Sequence, residues 1–326
     1  MRVFALSDSA SPWHSFWIRF GQYAPNLALP VEISTHPSGI SHLNQGDALL
    51  LYRFNSAWGD LEATLAAAAQ RGVRILADVD DDLWQAPGWT NARLRLFSRA
   101  LRHCQVISCS TTSLREVLSV MYRQAQVVVI PNSTPPGGRT SLKSEAGPLQ
   151  LCWTGAPWTR PQDLDLLKPL AQWASRRAEP LRWRHIGHRE GQLSFATALG
   201  LDPALVEVHP LQPHAQYLQS LNGDIGLAPL APNRFNSFKS ELKLLEYSGL
   251  AMPWIASDVM PYQELCSRWT WPGRLCRTAT DWIRHVEELL DPATRCREGN
   301  ALQQRAHQLQ GHDQTIACWR TVLLSA

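Results

Sequence analysis

The stretch RILADVDDDLW, residues 74–84, places four aspartates within five positions at the end of an apolar, strand-like segment. Like charges at this spacing repel one another, so Asp78, Asp80, Asp81 and Asp82 would each ionise more easily alone. Their clustering therefore indicates that a cation, a shared proton or a hydroxyl-rich ligand binds here. The simpler alternative is a solvated loop rich in turn residues.

A second group of charged residues occurs in the stretch NSFKSELKLLEYSGLAMPWIASD. Ser237 is a suitable N-cap and Gly249 a suitable end, so the spacing predicts one helix between them. An apolar stripe at helical spacing supports this helix, and it consists of Phe238, Leu242, Leu245 and Gly249.

Lys239, Lys243 and Glu246 fall on a neighbouring stripe, at i, i+4 and i+7. Cations near a helix N-terminus oppose the helix dipole unless an anion binds there. Backbone N–H groups and the two ammonium groups would together bind a diphosphate, and the carboxylate two turns further could accept hydrogen bonds from a ribose. Spacing alone favours the alternative, an exposed ion pair of Lys243 and Glu246 worth at most about 0.5 kcal/mol.

The elements that carry these residues follow from the hydrophobic pattern. Short β-branched or apolar runs alternate with longer amphipathic runs, which is typical of βαβ units and parallel sheets. The predicted strands are RVFALS, VEIS, ALLLYR, VRILADV, QVISCS and QVVVIPN in the first half, and LQLCWTG, LRWRHIG, LVEVHPL, GDIGLAPL and MPWIASD in the second. Beyond Ala279 the chain is predicted to be helical to its end.

The stretch PNSTPPGGRTSLKSEAGP, between Pro131 and Pro148, loses all periodicity and gains Pro, Gly and Ser. This composition indicates a linker between two domains. We therefore expect an α/β protein with two doubly wound, Rossmann-like domains facing across a cleft, 1–140 and 141–310, and a C-terminal helix, 311–326, that packs back on the first domain. Open α/β sheets bind ligands at the carboxyl ends of their strands, so the aspartates should face the cleft.

Composition restricts the class of protein. The net charge of +3 comes from 31 basic and 28 acidic residues without a basic stripe, which argues against a nucleic-acid partner. The seven cysteines are scattered without a Cys-x-x-Cys pair, which indicates a reducing compartment and not disulfides or a zinc site. The N-terminus lacks the pattern of a secretion signal, and no run approaches the length of a membrane span. We expect a cytoplasmic protein that at most contacts the inner face of the membrane peripherally.

The stretch ELKLLEYSGLAMPWIASD resembles the donor-site helix and following strand of retaining glycosyltransferases with the two-Rossmann-domain (GT-B) architecture, of the family 4 or group 1 type. Three other stretches resemble this family in the expected order. VVVIPNS is similar to the strand before the interdomain linker, LCWTGAPWTRPQDLDLL to the first strand and phosphate loop of the donor domain, and GDIGLAPL to the strand before the donor helix. The resemblance covers most of the chain and is loosest near the N-terminus.

The resemblance implies roles for individual residues. A glutamate at the position of Glu246 binds the ribose, and basic side chains like Lys243 and Arg160 bind the diphosphate. The residues expected to bind the donor are Thr154, Gly155, Arg160, Lys239, Ser240, Lys243 and Glu246. Many members carry a second glutamate that contacts the donor sugar, where this chain has Phe238. Lys239 and Ser240 are near enough to replace it.

The aspartates resemble the DxDDxxW signature of a subgroup linked to rhamnosyl transfer and to O-antigen or rhamnan biosynthesis. The resemblance makes Asp80, Asp81 and Asp82 candidate catalytic residues of the acceptor domain, across the cleft from the lysines, where they would orient hydroxyls of the acceptor or of the donor sugar. They also match the metal-binding Asp-x-Asp motif of single-domain glycosyltransferases. That motif requires the diphosphate on the same domain. We therefore expect no metal and no cofactor besides the nucleotide-sugar substrate.

The expected function is transfer of a hexose or deoxyhexose from a nucleotide-diphosphate donor to a hydroxyl of a bacterial surface glycan or lipid-linked glycan, with retention. Two alternatives remain open. A nucleotide-sugar epimerase with this architecture would work without an acceptor. A non-catalytic scaffold that binds glycan or a partner transferase would have no need of Lys243 and Glu246 together.

Overall fold

A computed structural model of the chain describes residues 1–12, 14–86, 88–135 and 147–325. The predicted domain boundary at residue 140 and most of the predicted linker lie outside the described residues. Contacts divide the chain into two compact units. Unit 1 consists of Met1–Asn132, Phe238–Ser240 and Asp313–Ala326, and unit 2 of Ser133–Ser237 and Glu241–His312.

Within the described residues, unit 1 contains a parallel sheet of six strands in the order β2-β1-β3-β4-β5-β6. The strands are β1 (Val3–Ser7), β2 (Val31–Ser34), β3 (Ala48–Tyr52), β4 (Arg74–Val79), β5 (Val106–Cys109) and β6 (Gln126–Val129). The helices between them are α1 (Glu62–Gln70), α2 (Asn91–Leu101) and α3 (Thr112–Met121), and a π-helix spans Trp17–Gly21.

The sheet of unit 1 is buried on both faces because successive side chains of a strand point in opposite directions. Phe4 and Leu6 of β1 pack in one hydrophobic core with residues of α1, α2 and α3. Val3 and Ala5 of the same strand pack in a second core, on the other face, with Phe20 of the π-helix.

Unit 2 contains, among its described residues, a second parallel sheet of six strands in the order β12-β11-β10-β7-β8-β9. Its strands are β7 (Gln150–Thr154), β8 (Arg182–His188), β9 (Val206–Pro210), β10 (Ile225–Ala228), β11 (Trp254–Ser257) and β12 (Leu275–Cys276). Its helices are α4 (Pro161–Asp165), α5 (Lys168–Ala174), α6 (Phe195–Leu199), α7 (His214–Ser220), α8 (Arg234–Ser237), α9 (Leu242–Gly249), α10 (Met260–Arg268), α11 (Ala279–Glu288) and α12 (Pro292–Leu309).

The last helix, α13 (His312–Leu324), belongs to unit 1 from Asp313 onward. Trp319 is fully buried against Phe20, with ring centroids 5.0 Å apart, and its indole N–H donates to the carbonyl of Arg19 at 2.9 Å. The two Rossmann-like α/β sheets and the helical C-terminus predicted from the sequence are therefore confirmed.

Several elements were not expected from the sequence, and α2 and β12 are two of them. Helix α2 lies between β4 and β5, where Arg and Leu alternate over residues 93–96 with the period of a strand. Its N-cap is Thr90, whose side chain accepts from the N–H of Arg93 at 3.2 Å. Strand β12 has only two residues, which is too short for any periodic signal.

The prediction of one helix from Ser237 to Gly249 is wrong. Helix α8 ends at Ser237, residues 238–241 are not helical, and α9 begins at Leu242. The interruption has two causes in the surroundings: Phe238 packs against the core of unit 1 that contains α1, and the carboxylate of Glu241 is held by Arg268 and Gln310. These contacts outweigh the helical propensity of the segment.

None of the helices in the part of the chain that the structure describes is long and apolar enough to cross a membrane.

Candidate functional site

The strand order of unit 2 marks a position for a ligand. The strands β7, β8 and β9 follow one another toward one edge, and β10 then pairs with the other side of β7. This order is that of dinucleotide-binding sheets, which hold their ligand where the order reverses, outside the carboxyl ends of the strands. Thr154, the last residue of β7, and Gly155 lie at this switch point.

The backbone at the switch point requires glycine. Gly155 has φ +144°, a conformation that residues with a side chain rarely adopt. A Cβ on Gly187 of β8 would lie 2.7 Å from the carbonyl oxygen of Gly155. The Nε2 of His185 donates a hydrogen bond to the same carbonyl at 2.9 Å. The turn after β7 is therefore held close to β8.

Glu246 lies on the buried face of α9. Its Oε2 accepts a hydrogen bond from the hydroxyl of Tyr217 at 2.6 Å, and its Oε1 lies 3.5 Å from Nε2 of His214. The Tyr217 oxygen is also 3.3 Å from Oγ1 of Thr154. Tyr217, on α7, thus connects Glu246 with the end of β7 and brings two of the predicted donor residues together.

Lys243 is near the same strand end. Its Nζ lies 5.3 Å from the ring centroid of Trp153, which is a cation–π distance, and Trp153 immediately precedes Thr154. Arg160 lies further along the loop after β7, at the start of α4, with its guanidinium 5.9 Å from the ring of Phe235. The structure therefore places Lys243 and Glu246 at the switch point and Arg160 at the far end of the adjoining loop.

His185 is part of this surrounding structure. It stacks on Trp153 with ring centroids 5.3 Å apart. Burial lowers the pKa of His185 to about 4, and the positive charge of Lys243 adds to the effect, although the hydrogen bond to Gly155 opposes it. The imidazole is therefore neutral at pH 7, with its proton on Nε2, while its buried Nδ1 has no hydrogen-bond partner among the residues that the structure describes.

Lys239 and Ser240 do not lie on α9, and both belong to unit 1. The Nζ of Lys239 is 3.5 Å from Oδ1 of Asp81. The hydroxyl of Ser240 accepts a hydrogen bond from the side-chain amide of Asn132 at 2.8 Å. The expectation that the aspartates are separated from the lysines is therefore wrong for Lys239.

Asp78 is a structural residue. Its two carboxylate oxygens form hydrogen bonds with Arg19 at 2.8 and 2.9 Å, and Oδ1 also accepts from Ser108 at 2.7 Å. Asp78 and Arg19 are both buried, and Arg19 donates further to the carbonyl of Ile130 and to Asn132. The protein itself therefore supplies the hydrogen bonds that the buried ion pair of Asp78 and Arg19 requires.

Asp80 is bound by the guanidinium of Arg53, with the closest contact at 3.0 Å. Burial alone would raise the pKa of Asp80, but the charge and hydrogen bonds of Arg53 lower it to about 2, so the carboxylate is ionised throughout the neutral range. Arg53 itself has φ 54°, in the left-handed region. Strain of this kind at a non-glycine residue often accompanies a functional site.

The next two aspartates differ in exposure. Asp81 is 20% exposed, and Arg53 lies 4.0 Å from it in addition to the contact with Lys239. Asp82 is buried. Among Asp80, Asp81 and Asp82, Asp81 is therefore the carboxylate most accessible to a ligand.

Known structures give an independent comparison. The Anabaena protein HepE in complex with UDP aligns over 100% of both chains with 14% identity and a TM-score of 0.63. A glycosyltransferase from Rickettsia africae aligns over 99% of this chain and 98% of its own with 10% identity and a TM-score of 0.66. The pneumococcal O-GlcNAc transferase GtfA, in complex with UDP and GlcNAc, aligns over 88% of this chain with 16% identity and a TM-score of 0.57.

The chain has the GT-B fold. It spans only 58% of the length of GtfA, so the likeness to that protein covers part of it. No family model matches the chain, and no curated protein matches it in sequence.

Within this GT-B fold, several residues around the two groups of predicted residues were missed by the sequence analysis. In unit 2 they are Tyr217 and His214, which contact Glu246, and His185, which donates to the carbonyl of Gly155. In unit 1 they are Arg53 and Arg19. No spacing signal connects Tyr217 with Glu246, 29 positions later, and only the packing of α7 beside α9 brings them together.

The described parts of this GT-B chain contain no group of three or more His, Cys, Asp or Glu side chains arranged to hold a metal ion.

Proposed function

We propose that the chain is a glycosyltransferase that moves a sugar from a nucleotide-diphosphate donor to a hydroxyl group of a bacterial surface glycan. The observation that carries the proposal is the convergence of Lys243, Glu246 and Thr154 at the switch point of unit 2, on a GT-B fold. A cation, a carboxylate and a glycine turn at one strand end are the groups that a nucleoside diphosphate needs.

In this proposal Lys243 binds the diphosphate, with the backbone N–H groups of the turn that follows Gly155. Arg160 approaches the phosphate next to the sugar from the same loop. Negative charge grows on the diphosphate as the bond to the sugar breaks, so cations fixed near it stabilise the transition state more than the ground state. Their main effect is therefore on turnover.

Glu246 binds the ribose hydroxyls. Tyr217 donates to Oε2 and holds the carboxylate in one orientation, so that Oε1, on the side of His214, is the oxygen offered to the ribose. A charge-assisted hydrogen bond of this kind is worth about 1.5 to 3 kcal/mol. The UDP complexes of two GT-B structures with a similar fold support a nucleotide ligand.

The acceptor is assigned to unit 1, at the carboxyl end of β4, where Asp81 is the accessible carboxylate. The reaction is proposed to retain the anomeric configuration, an assignment that rests on the resemblance of the donor helix to retaining enzymes. It is also proposed to need no metal ion, and the binding of Asp80 by Arg53 supports this because that carboxylate already has a cation.

The test is a thermal-shift screen with the diphosphates of uridine, guanosine, adenosine, cytidine and thymidine, and with the corresponding nucleotide sugars. A ligand at a hundred times its dissociation constant stabilises a protein by about 2.7 kcal/mol, which is a shift of several degrees for one domain. We expect one nucleobase to give the largest shift, with and without a chelator. No shift with any member of the panel would reject the proposal.

A further inference from the structure

The amino-terminal end of the sheet in unit 1, where its parallel strands begin, lies opposite the end that carries Asp80 and Asp81. Helices α1, α2 and α3 each lead into the following strand and therefore finish at this amino-terminal end. Helix α13 finishes there too, because Arg74, the first residue of β4, donates to the carbonyls of its residues Val322 and Leu323. Four helix C-termini thus surround the starts of the strands.

The exposed large hydrophobic side chains of unit 1 all lie at this end. Val120 and Met121, the last residues of α3, are 68% and 44% exposed. Leu324, at the end of α13, is 53% exposed, and Met1, just before β1, is 45% exposed. No other large hydrophobic residue in the described part of unit 1 is exposed to this extent. Exposed hydrophobic residues scattered singly need no explanation, but their restriction to one end of a unit indicates an interaction surface.

The charged residues of the same end are mainly cations. The short segments that lead into the strands contain four arginines, Arg2, Arg71, Arg102 and Arg123, and one acidic residue, Asp47. Asp47 pairs with Arg2 at 3.0 Å. The other three arginines are exposed and form no ion pair within the residues that the structure describes. The amino-terminal end therefore has an excess of positive charge.

Two of these arginines lie beside the exposed end of α3. The side-chain amide of Gln124 donates to the carbonyl of Arg102 at 3.4 Å, which joins the ends of α2 and α3. Tyr122 is buried there and lies within electrostatic reach of Arg102. Met121 and Arg123 are the neighbours of Tyr122 in the chain, so apolar side chains and arginines alternate on this surface.

Carboxylates further inside do not cancel this charge. Glu116, about one turn before the end of α3, and Glu32, the second residue of β2, are both exposed. Two exposed arginines lie at a similar depth, Arg115 on α3 and Arg320 on α13. The excess of positive charge at the amino-terminal end therefore remains.

We infer that the amino-terminal end of unit 1 binds the surface of a bilayer that contains anionic phospholipids. Arginines attract the lipid phosphates, and Val120 and Met121 enter the boundary between headgroups and acyl chains. A protein partner fits less well, because the centre of a protein interface is a contiguous apolar area depleted of charge. Here arginines separate the apolar side chains. The inference goes beyond the proposed glycosyl transfer and does not depend on it.

The experiment is co-sedimentation of the full chain with vesicles. One set of vesicles consists of phosphatidylcholine, and the other of phosphatidylcholine and phosphatidylglycerol in equal parts. We expect the chain to sediment with the anionic vesicles, less so at high salt, and not with the neutral ones. Free glycerol phosphate at the same phosphate concentration should not compete, since it offers no bilayer. Equal binding to both sets of vesicles, or none to the anionic set, would overturn the inference.

Two double variants test whether this surface causes the binding. Arg102→Gln with Arg123→Gln should lower the partition coefficient on anionic vesicles about twenty-five-fold, because each arginine near the surface contributes about fivefold. Val120→Ser with Met121→Ser should lower it about tenfold, because the serine side chains lose the burial of apolar surface. All four side chains are exposed, so the variants should keep the circular dichroism spectrum of the wild type.

The matched controls change exposed residues of unit 2. Arg176→Gln with Arg297→Gln removes the same charge, and Val208→Ser with Leu211→Ser removes similar apolar side chains, which are 47% and 58% exposed. Both controls should keep the wild-type partition coefficient. An equal loss in a control would show that the binding is not specific to the amino-terminal end of unit 1, and the inference would fail.

Sedimentation velocity tests the other occupant of such a surface, a second copy of the chain. If Val120→Ser with Met121→Ser dissociates an oligomer and leaves vesicle binding unchanged, the surface is an interface between copies and the inference is wrong. The proposed function is tested separately by the nucleotide screen. A chain that binds a nucleotide but not anionic vesicles would keep the proposed function and reject the inference.

Discussion

At the scale of single residues, the aspartate cluster divides into a structural and an accessible part. Asp78 and Asp80 are each bound by an arginine, whereas Asp81 is partly exposed beside Lys239. The sequence predicted a cation, a shared proton or a hydroxyl-rich ligand at the cluster, because like charges so close repel one another. It could not predict which cations bind these aspartates. Arg19 lies 59 positions before Asp78, and Arg53 lies 27 positions before Asp80.

Asp80→Asn and Asp81→Asn should therefore have different effects. Asp80→Asn leaves Arg53 without its partner, and we expect the free energy of unfolding to fall by about 2 to 3 kcal/mol at pH 7. Because the pKa of Asp80 is about 2 in the folded protein, this difference between wild type and variant is fully present above about pH 4 and should disappear as the pH falls toward 2.

Asp81→Asn should change stability by less than about 1 kcal/mol, since the side chain is partly exposed, but should lower sugar transfer sharply. Urea unfolding of both variants at pH 7 and at acidic pH measures the first effect, and initial transfer rates measure the second. Equal loss of stability in the two variants, or full transfer by Asp81→Asn, would contradict the division.

The three charged residues predicted to bind the donor from one helix, Lys239, Lys243 and Glu246, do not all lie together. The sequence predicted Lys243 and Glu246 as donor residues, and the structure places them at one strand end. It also predicted Lys239 beside them, because one continuous helix would have aligned all three. A break of four residues, caused by Phe238 and Glu241, moved Lys239 to the aspartates. Spacing arguments are valid only within one uninterrupted element.

At the scale of secondary-structure elements, the strands were predicted well because each buried parallel strand is a short continuous apolar run. The ends of the elements depend on tertiary contacts that no local pattern contains. The start of α9 is the clearest case, and the two-residue strand β12 is another. The missed residue His185 belongs to a correctly predicted strand, β8, so the strand was predicted but not the contact of its side chain with the turn after β7.

The contact between β7 and β8 gives a prediction of pH dependence. His185 has a lowered pKa, about 4 in the folded protein against about 6.5 in the unfolded chain, so the unfolded chain binds more protons between these values. The free energy of unfolding should therefore fall by about 3 kcal/mol, because of His185, as the pH falls from 6.5 to 4. Above pH 6.5 His185 should not change it.

The substitution His185→Gln keeps a donor for the carbonyl of Gly155 and cannot titrate. We expect its urea midpoint to depend less on pH between 6.5 and 4 than that of the wild type. The control His36→Gln changes an exposed histidine of unit 1 and should follow the wild type. An identical pH dependence of wild type and His185→Gln would contradict the assignment.

At the scale of the whole molecule, each unit has its own sheet and its own cores, and the C-terminal segment from Asp313 is part of unit 1. Trp319 fills the core of unit 1 on the face of Phe20. The strand order of each unit then fixes a switch point, with mixed charges in unit 1 and a glycine turn, a lysine and a glutamate in unit 2.

Trp319→Ala should destabilise unit 1 by about 3 to 5 kcal/mol, because it removes a fully buried aromatic side chain and the hydrogen bond to Arg19. Hydrogen exchange should accelerate in β1 and β3. The matched control is Trp282→Ala in the core of unit 2, which should accelerate exchange in unit 2. Unchanged exchange in β1 and β3 of Trp319→Ala would show that α13 does not stabilise unit 1.

The central claim, a nucleoside diphosphate bound at the switch point of unit 2, is tested most directly by calorimetric titration of Glu246→Gln. The control is Glu241→Gln, a change at another buried glutamate five positions earlier, which contacts Arg268 and Gln310. For the diphosphate that binds best, Glu246→Gln should weaken affinity by about 1.5 to 3 kcal/mol, roughly tenfold to a hundredfold, and Glu241→Gln should leave it unchanged. Wild-type affinity in a folded Glu246→Gln variant would contradict the claim.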